Sequence, residues 1–378
     1  MKRDIKKHTK SYKHTGGIKM IVNTILYIYL FLCVMILLYT LSYILYSAYR
    51  NYKEKRAVMG WQVAMANQIY QVNLGKGVHR DFIKKLQKEL VDTEELKYFE
   101  KALESFQEEE VLLRILCDLQ KVILYLAKEY GDKGTMDKAY FALFYSRFSK
   151  GAWTDDQFLY IFLGYLDQRS IYVRDSVLKA VISAGQMSWV LRVLTEFTDK
   201  NWSHHAKLVG DSLTLYPGDH EELTKILWQQ WRRFLPTLRQ GVLLYITQKS
   251  SSYKREMYEV MTDERENIEL RLSAMRYFMK NLYEPAEEVL RQYVLDPKKG
   301  YEIRVVAARV LGKYESKETL EVLKESLGDP NWYVRFNASE ALIEQKRSLI
   351  DMKDILLGED VYAKEILEYR ITERSQRK

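Results

Sequence analysis

Asp329-Pro330-Asn331-Trp332-Tyr333-Val334-Arg335-Phe336-Asn337-Ala338-Ser339-Glu340-Ala341-Leu342 is the stretch that decides the fold. An arginine follows an apolar residue, and an alanine stands three positions after it. The same grammar returns in Ile303-Arg304-Val305-Val306-Ala307-Ala308-Arg309-Val310-Leu311-Gly312 and in Tyr172-Val173-Arg174-Asp175-Ser176-Val177-Leu178-Lys179-Ala180. Extended along the chain, it gives six cations: Arg174, Lys207, Arg239, Arg271, Arg304 and Arg335, at steps of 33, 32, 32, 33 and 31 residues. A period of that size means one supersecondary unit repeated in tandem, each copy burying its apolar face against the next.

Other columns keep the same register. The residue before the cation is Val173, Ala206, Leu238, Leu270, Ile303 or Val334, always apolar. Three positions after it stand Val177, Gly210, Val242, Ala274, Ala307 and Ala338; seven after it, Val181, Thr214, Ile246, Phe278, Leu311 and Leu342. Offsets of −1, +3 and +7 share one helical face. The small residue lets a neighbouring helix approach, and the larger ones fill the layer between. Helix pairs are predicted over 154–166 with 170–184, 186–198 with 203–215, 218–233 with 236–248, 254–262 with 266–280, 285–296 with 301–314, and 317–328 with 331–345. Helices near 347–356 and 360–371 close the end.

This pattern resembles HEAT repeats over about 154–345. It is clearest in the last two repeats and weakest in 203–215, where Lys207 and Gly210 replace the usual Arg and Ala. The resemblance implies an armadillo-type, all-α fold: a right-handed α-solenoid of antiparallel helix pairs, commonly a protein-binding scaffold. In such repeats the arginine commonly pairs with an aspartate in the loop before it. Acids do precede the cation by six to eight residues in five repeats: Asp167, Asp199, Asp263, Asp296 and Asp329. The 218–248 repeat departs, with Arg232 and Arg233 instead. The cation column is therefore either a structural Asp–Arg ladder joining neighbouring loops, which we favour, or an anion-binding stripe.

Ahead of the repeats, Met20–Tyr49 is thirty residues without a charge. About 20 apolar residues cross a bilayer as a helix, and Tyr43, Tyr46 and Tyr49 suit an interfacial anchor. A cleaved signal peptide has a shorter apolar region and a small-residue cleavage site, so a single-pass signal anchor is the expectation. Residues 1–19 hold seven Lys/Arg and one acid. Four more bases, Arg50, Lys53, Lys55 and Arg56, follow the apolar segment. The excess on the N-terminal side favours a cytoplasmic N-terminus and an extracytoplasmic repeat region. The tail could also meet anionic lipid. Of the net +8, the tail supplies +6. The remaining +2 is spread with mixed signs, which argues against a nucleic-acid partner.

The expected organisation is a basic, disordered cytoplasmic tail (1–19), a transmembrane helix (20–49), a helical stalk and glycine hinge (50–77), an irregular helical region (78–150), and HEAT-like repeats with a C-terminal cap (151–372). For residues 50–72 the stalk competes with a helix packed inward through Trp61 and Met65. Asp92 to Glu95 reads as a helix start, and 109–130 as one continuous helix. The acid run Glu108-Glu109-Glu110 reads as a solvated helix start.

No motif for catalysis emerges. Cys33 and Cys117 form no framework. His204-His205 are sequence neighbours, read as a surface pair and not as an i, i+4 metal pair. No phosphate loop, nucleophile elbow or zinc-protease signature occurs. No catalytic residue, metal or cofactor is expected. Tyr172, Trp202, Tyr301, Trp332 and Tyr333 gather before or at the starts of the second helices, and aromatics are enriched at binding hot spots. They are the candidate partner-binding residues; packing between loops is the competing reading. Asn201-Trp202-Ser203 and Asn337-Ala338-Ser339 match the glycosylation pattern only by chance. The functional expectation is a membrane-anchored scaffold that recruits or braces a protein partner, for instance a cell-envelope biosynthesis or secretion component. The alternative is an envelope-associated enzyme with a site in 78–150 or on the concave face.

Overall fold

The structure is a computed structural model that describes residues 4–106, 110–166, 170–345 and 350–376. The described residues form helices, turns and loops, with no strand. The chain divides into two compact units, Met1–Asp118 and Leu119–Lys378.

The first unit contains α1 (Asp4–Asn73), α2 (Arg80–Glu89), α3 (Thr93–Glu104) and α4 (Glu110–Asp118). Helix α1 runs through Gly16 and Gly17, so the helix enters the stretch expected to be disordered. Two glycines cost a helix about 1 kcal/mol each and need not break it. The apolar part of α1 is long and apolar enough to cross a membrane, with a mean hydropathy of 2.4 in its best window, none of it buried. Further along, α1 changes character. Trp61, Met65 and Ile69 are buried, and α1 packs on α3 and α4. The Trp61 ring stands edge-on to Phe99 at 5.2 Å, and its Nε1 donates to Glu95 at 3.1 Å. A free stalk over these residues is therefore corrected to a packed helix: a tryptophan and a methionine one turn apart are worth more buried than hydrated. After Asn73 the chain turns at Gly75, whose φ of +74° falls in the left-handed region that glycine tolerates.

The second unit opens with α5 (Gln120–Gly131) and α6 (Thr135–Phe148). Residues 109–130 are thus two helices, with the break at Leu119, where the chain passes between the compact units. Periodicity alone missed it because no proline or glycine marks it. Then come α7 (Gln157–Tyr165) with α8 (Ile171–Ser183), α9 (Met187–Asp199) with α10 (Ala206–Leu213), and α11 (His220–Gln230) with α12 (Pro236–Lys249). They are followed by α13 (Lys254–Thr262) with α14 (Ile268–Tyr277), α15 (Glu284–Leu295) with α16 (Tyr301–Leu311), and α17 (Lys317–Glu325) with α18 (Trp332–Glu344). Helices α19 (Lys353–Leu356) and α20 (Val361–Gln376) end the series.

Helix starts are set locally. The side chains of Ser170, Asp219, Asn267, Ser316 and Asn331 each accept a backbone N–H of the helix they precede. Each such cap is worth about 1 kcal/mol.

The second helices of the pairs pack in succession: α6 on α8, α8 on α10, α10 on α12, α12 on α14, α14 on α16, α16 on α18, and α18 on α20. Equivalent positions meet. Tyr301 stacks on Tyr333 at the helix starts, and Lys313 pairs with Glu344 near the ends. The +3 column lies at these contacts, where Val177, Val242, Ala274, Ala307 and Ala338 are fully buried. Closest approach falls between α10 and α12. A Cβ on Gly241 would lie 2.5 Å from the Val209 Cβ, and one on Gly210 would lie 3.1 Å from the Gly241 carbonyl oxygen. The glycine that makes the 203–215 repeat look atypical is therefore a packing requirement.

Gly241→Ala should destabilise the protein by about 1–3 kcal/mol through overpacking. Gly60→Ala, where an added Cβ would meet nothing within 4 Å, should instead be neutral or gain about 0.5–1 kcal/mol. Urea unfolding followed by circular dichroism separates the two; equal midpoints would refute the close-packing account.

Candidate interaction surface

The cation column was paired in prediction with the acid of its own repeat. The geometry corrects this: five of the six cations reach into the following repeat. Arg304 donates to the Asp329 carboxylate and Arg239 to Glu266. Arg174 lies 5.9 Å from the Trp202 ring centre, and Arg271 lies 6.0 Å from the ring centre of Tyr293. Arg335 lies 5.5 Å from the ring centre of Tyr362. The sixth, Lys207, is exposed and makes no ion pair among the described residues.

The aspartates serve their own loops. Asp263 accepts the Arg265 N–H at 3.1 Å, Asp296 the Lys298 N–H at 2.9 Å, and Asp329 the Asn331 N–H at 2.7 Å. A short carboxylate at a loop entrance finds the amide two residues on before it finds a helix side chain. Asp329 also takes an arginine of the column, and that arginine comes from the previous repeat. Arg335 itself donates to the Asp329 and Pro330 carbonyls at 2.7 and 3.2 Å. Asp199 is exposed at the end of α9, and Asp167 lies outside the described residues, as do Glu108 and Glu109.

Burial excludes most of the column from ligand binding. Arg174 and Arg271 are 9% and 7% exposed, and the Arg304–Asp329 pair is 11% and 9% exposed at the side chains. Arg239 lies 4.0 Å from the Trp231 ring centre, a cation–π contact.

The aromatic candidates divide. Trp202 is 8% exposed, with its ring against Phe197 and with Arg174 and Lys200 over its face. It is corrected from a partner-binding residue to a core residue. Tyr172, Tyr301, Trp332 and Tyr333 are exposed, at 68%, 47%, 49% and 58%. The last three form one cluster: Tyr333 stacks on Tyr301 at 6.4 Å, while Trp332 meets Tyr333 edge-on at 5.2 Å and stacks on Phe336 at 5.0 Å. Each ring stands in the first turn of α16 or α18, where a side chain leans toward the helix start and away from the packed layer.

The histidine pair is also corrected. His204 is buried, with Nε2 3.4 Å from the Asp175 Oδ1, and His205 alone is exposed. Lys179 pairs with the same carboxylate at 2.7 Å. Burial pulls the Asp175 pKa up, but the hydrogen bonds from His204 and Lys179 outweigh it and hold the group below its ordinary 3.8. Asn337 is buried and donates to the Tyr333 carbonyl, so its glycosylation pattern is a coincidence.

Sequence reasoning missed Arg370 on α20. It bridges Glu340 of α18 and Glu373 of its own helix, and covers the Phe336 ring at 4.8 Å. Its only sequence signal was the i, i+3 spacing to Glu373. Beside it, a cavity of about 360 Å³ is lined by Arg309, Glu340, Ile343, Glu344, Arg370 and Arg374 among others. Among the described residues no group of three or more His, Cys, Asp or Glu side chains is placed to hold a metal.

Residues 260–361 match the family model for HEAT repeats. The matched segment spans α14 to α19 and contains the Arg271, Arg304 and Arg335 repeats. Together with the all-helical structure it supports a HEAT-repeat protein, and repeats of this kind suggest a protein-interaction scaffold. No curated protein matches the chain.

Arg304→Ala should cost about 3 kcal/mol by stranding the Asp329 carboxylate. The double change with Asp329→Ala should cost less than the sum of the single changes; strict additivity in denaturant unfolding would disprove the coupling. Because the folded Asp175 pKa is depressed, its contribution is present above 3.8 and is lost as pH falls through the lower folded value. Asp175→Asn should therefore flatten the acid limb of the stability curve below about pH 4, which a pH series of unfolding midpoints measures directly.

Proposed function

We propose that this chain is a membrane-anchored interaction scaffold. In this reading the packed succession of second helices is the spine of a right-handed α-solenoid of antiparallel pairs, and the buried cations are structural ties. The observation that carries it is the Tyr301–Trp332–Tyr333 cluster: three large rings left in solvent on helices whose opposite faces are fully packed. Exposed contiguous aromatics signal an interaction site on an otherwise soluble surface. Tyr172 marks a second contact point toward the start of the repeats.

The apolar part of α1 supports anchoring, and the charge bias of its flanks favours residues 1–19 on the cytoplasmic side with the repeats outside. The basic tail would add affinity for anionic lipid. Anchoring holds the repeats near one membrane face and so raises their effective concentration toward membrane-associated proteins. A biosynthetic or secretion component of the cell envelope is the kind of partner that this placement favours.

Affinity capture of the full chain from native membranes tests the reading. The Trp332→Ala/Tyr333→Ala variant should lose a partner that the parent retains, with recovery reduced about tenfold, as expected for two hot-spot rings. An unchanged partner set would refute the assignment of the cluster. Protease accessibility of residues 78–378 in intact cells decides sidedness: cleavage is expected, and protection would reverse the orientation.

A further inference from the structure

The acids facing α18 and α20 are spoken for: Glu340 and Glu373 hold Arg370, and Glu344 holds Lys313. Two cations of the preceding repeats are not. Arg276 on α14 and Arg309 on α16 are exposed, and neither makes an ion pair among the described residues. They are close together by construction. Arg276 and Arg309 each stand five residues after the column cation of their repeats, and α14 packs on α16.

Like charges in this arrangement repel. Burial lowers the Arg276 pKa, and the Arg309 charge lowers it further; Glu269, two turns away, pulls the other way. The helix dipole favours a cation in a last turn, but it does not favour setting two of them side by side across neighbouring helices. A bound anion would remove the repulsion.

The surroundings limit what that anion can be. Glu269 and Glu302 are exposed toward the helix starts, and Glu340 lies beyond Arg309. These carboxylates would repel a long polyanion or an anionic bilayer, so a short acidic stretch fits better. Arg309 is eight residues from Tyr301, about 12 Å along α16. That distance is bridged by about four residues of extended chain.

We propose that the α14–α16 face binds an acidic, extended segment of a protein partner. Its carboxylates engage Arg276 and Arg309, and an apolar side chain about four residues away rests on the Tyr301–Trp332–Tyr333 cluster. The proposal rests on the scaffold reading above and adds to it the chemistry of what is held.

A photo-reactive amino acid placed at Val305, midway between Tyr301 and Arg309, tests it in the full chain in native membranes. The cross-linked peptide is then sequenced by mass spectrometry. The expected product is one protein segment rich in Asp and Glu. Its yield should fall about tenfold in Arg276→Gln/Arg309→Gln and recover in the double Lys variant. A lipid or nucleic-acid product, a segment without acids, or a yield unmoved by the Gln changes would overturn the proposal. A second probe at Tyr172 separates the two levels. Capture there but not at Val305 sinks this site and spares the scaffold; capture at neither position sinks both. Unfolding midpoints of the variants, expected to match the parent, show that lost yield is not lost folding.

Discussion

The second unit depends on a buried cation that leans on the repeat after its own. A guanidinium cannot be left dry and unpaired, so once Arg304 is enclosed it needs Asp329, and Arg239 needs Glu266. Arg271 and Arg335 instead donate to backbone carbonyls of their own repeats, and they and Arg174 lie near rings of the next repeat. Apolar packing alone would let one helix pair slide on the next, since one small residue is much like another. The directional contact selects a single register. The glycines at the α10–α12 contact make the complementary demand, because they permit one close approach and no bulkier substitute.

The helix pairs of 154–345 were legible because the period is short, the columns are many and each column has one physical job. Apolar, small and large positions can be told apart in a single sequence when six copies are compared. The pairing of charges was not legible. Spacing put an aspartate within reach of every column arginine except Arg239, but it could not show that Asp263 and Asp296 would turn to their own loop amides. The break at Leu119 was invisible for a similar reason: it reflects a change of packing partner, and no local breaker announces it.

The candidate surface was half readable. Tyr301, Trp332 and Tyr333 stand out because two neighbouring repeats both place aromatics at first-turn positions, as only Tyr172 does elsewhere among those positions. Trp202 occupies an equally suggestive place in the sequence, yet it is enclosed by Phe197, Arg174 and Lys200. The difference is whether a neighbouring basic side chain folds over the ring, and composition does not encode that. Trp61 follows the same logic in the first unit: periodicity leaves it open between a stalk and a packed helix, and the edge-on Phe99 ring and the bond to Glu95 decide it.

The forward lean of the cations has a consequence for synthesis. A chain emerges from the ribosome N-terminus first, at about 5–20 residues per second. The Arg304 and Arg239 guanidinium groups therefore emerge before their carboxylate partners exist, and each waits roughly 2–6 s for the next 32 residues or so to appear. At those two points the growing end is briefly incomplete, and it is completed by what is translated next.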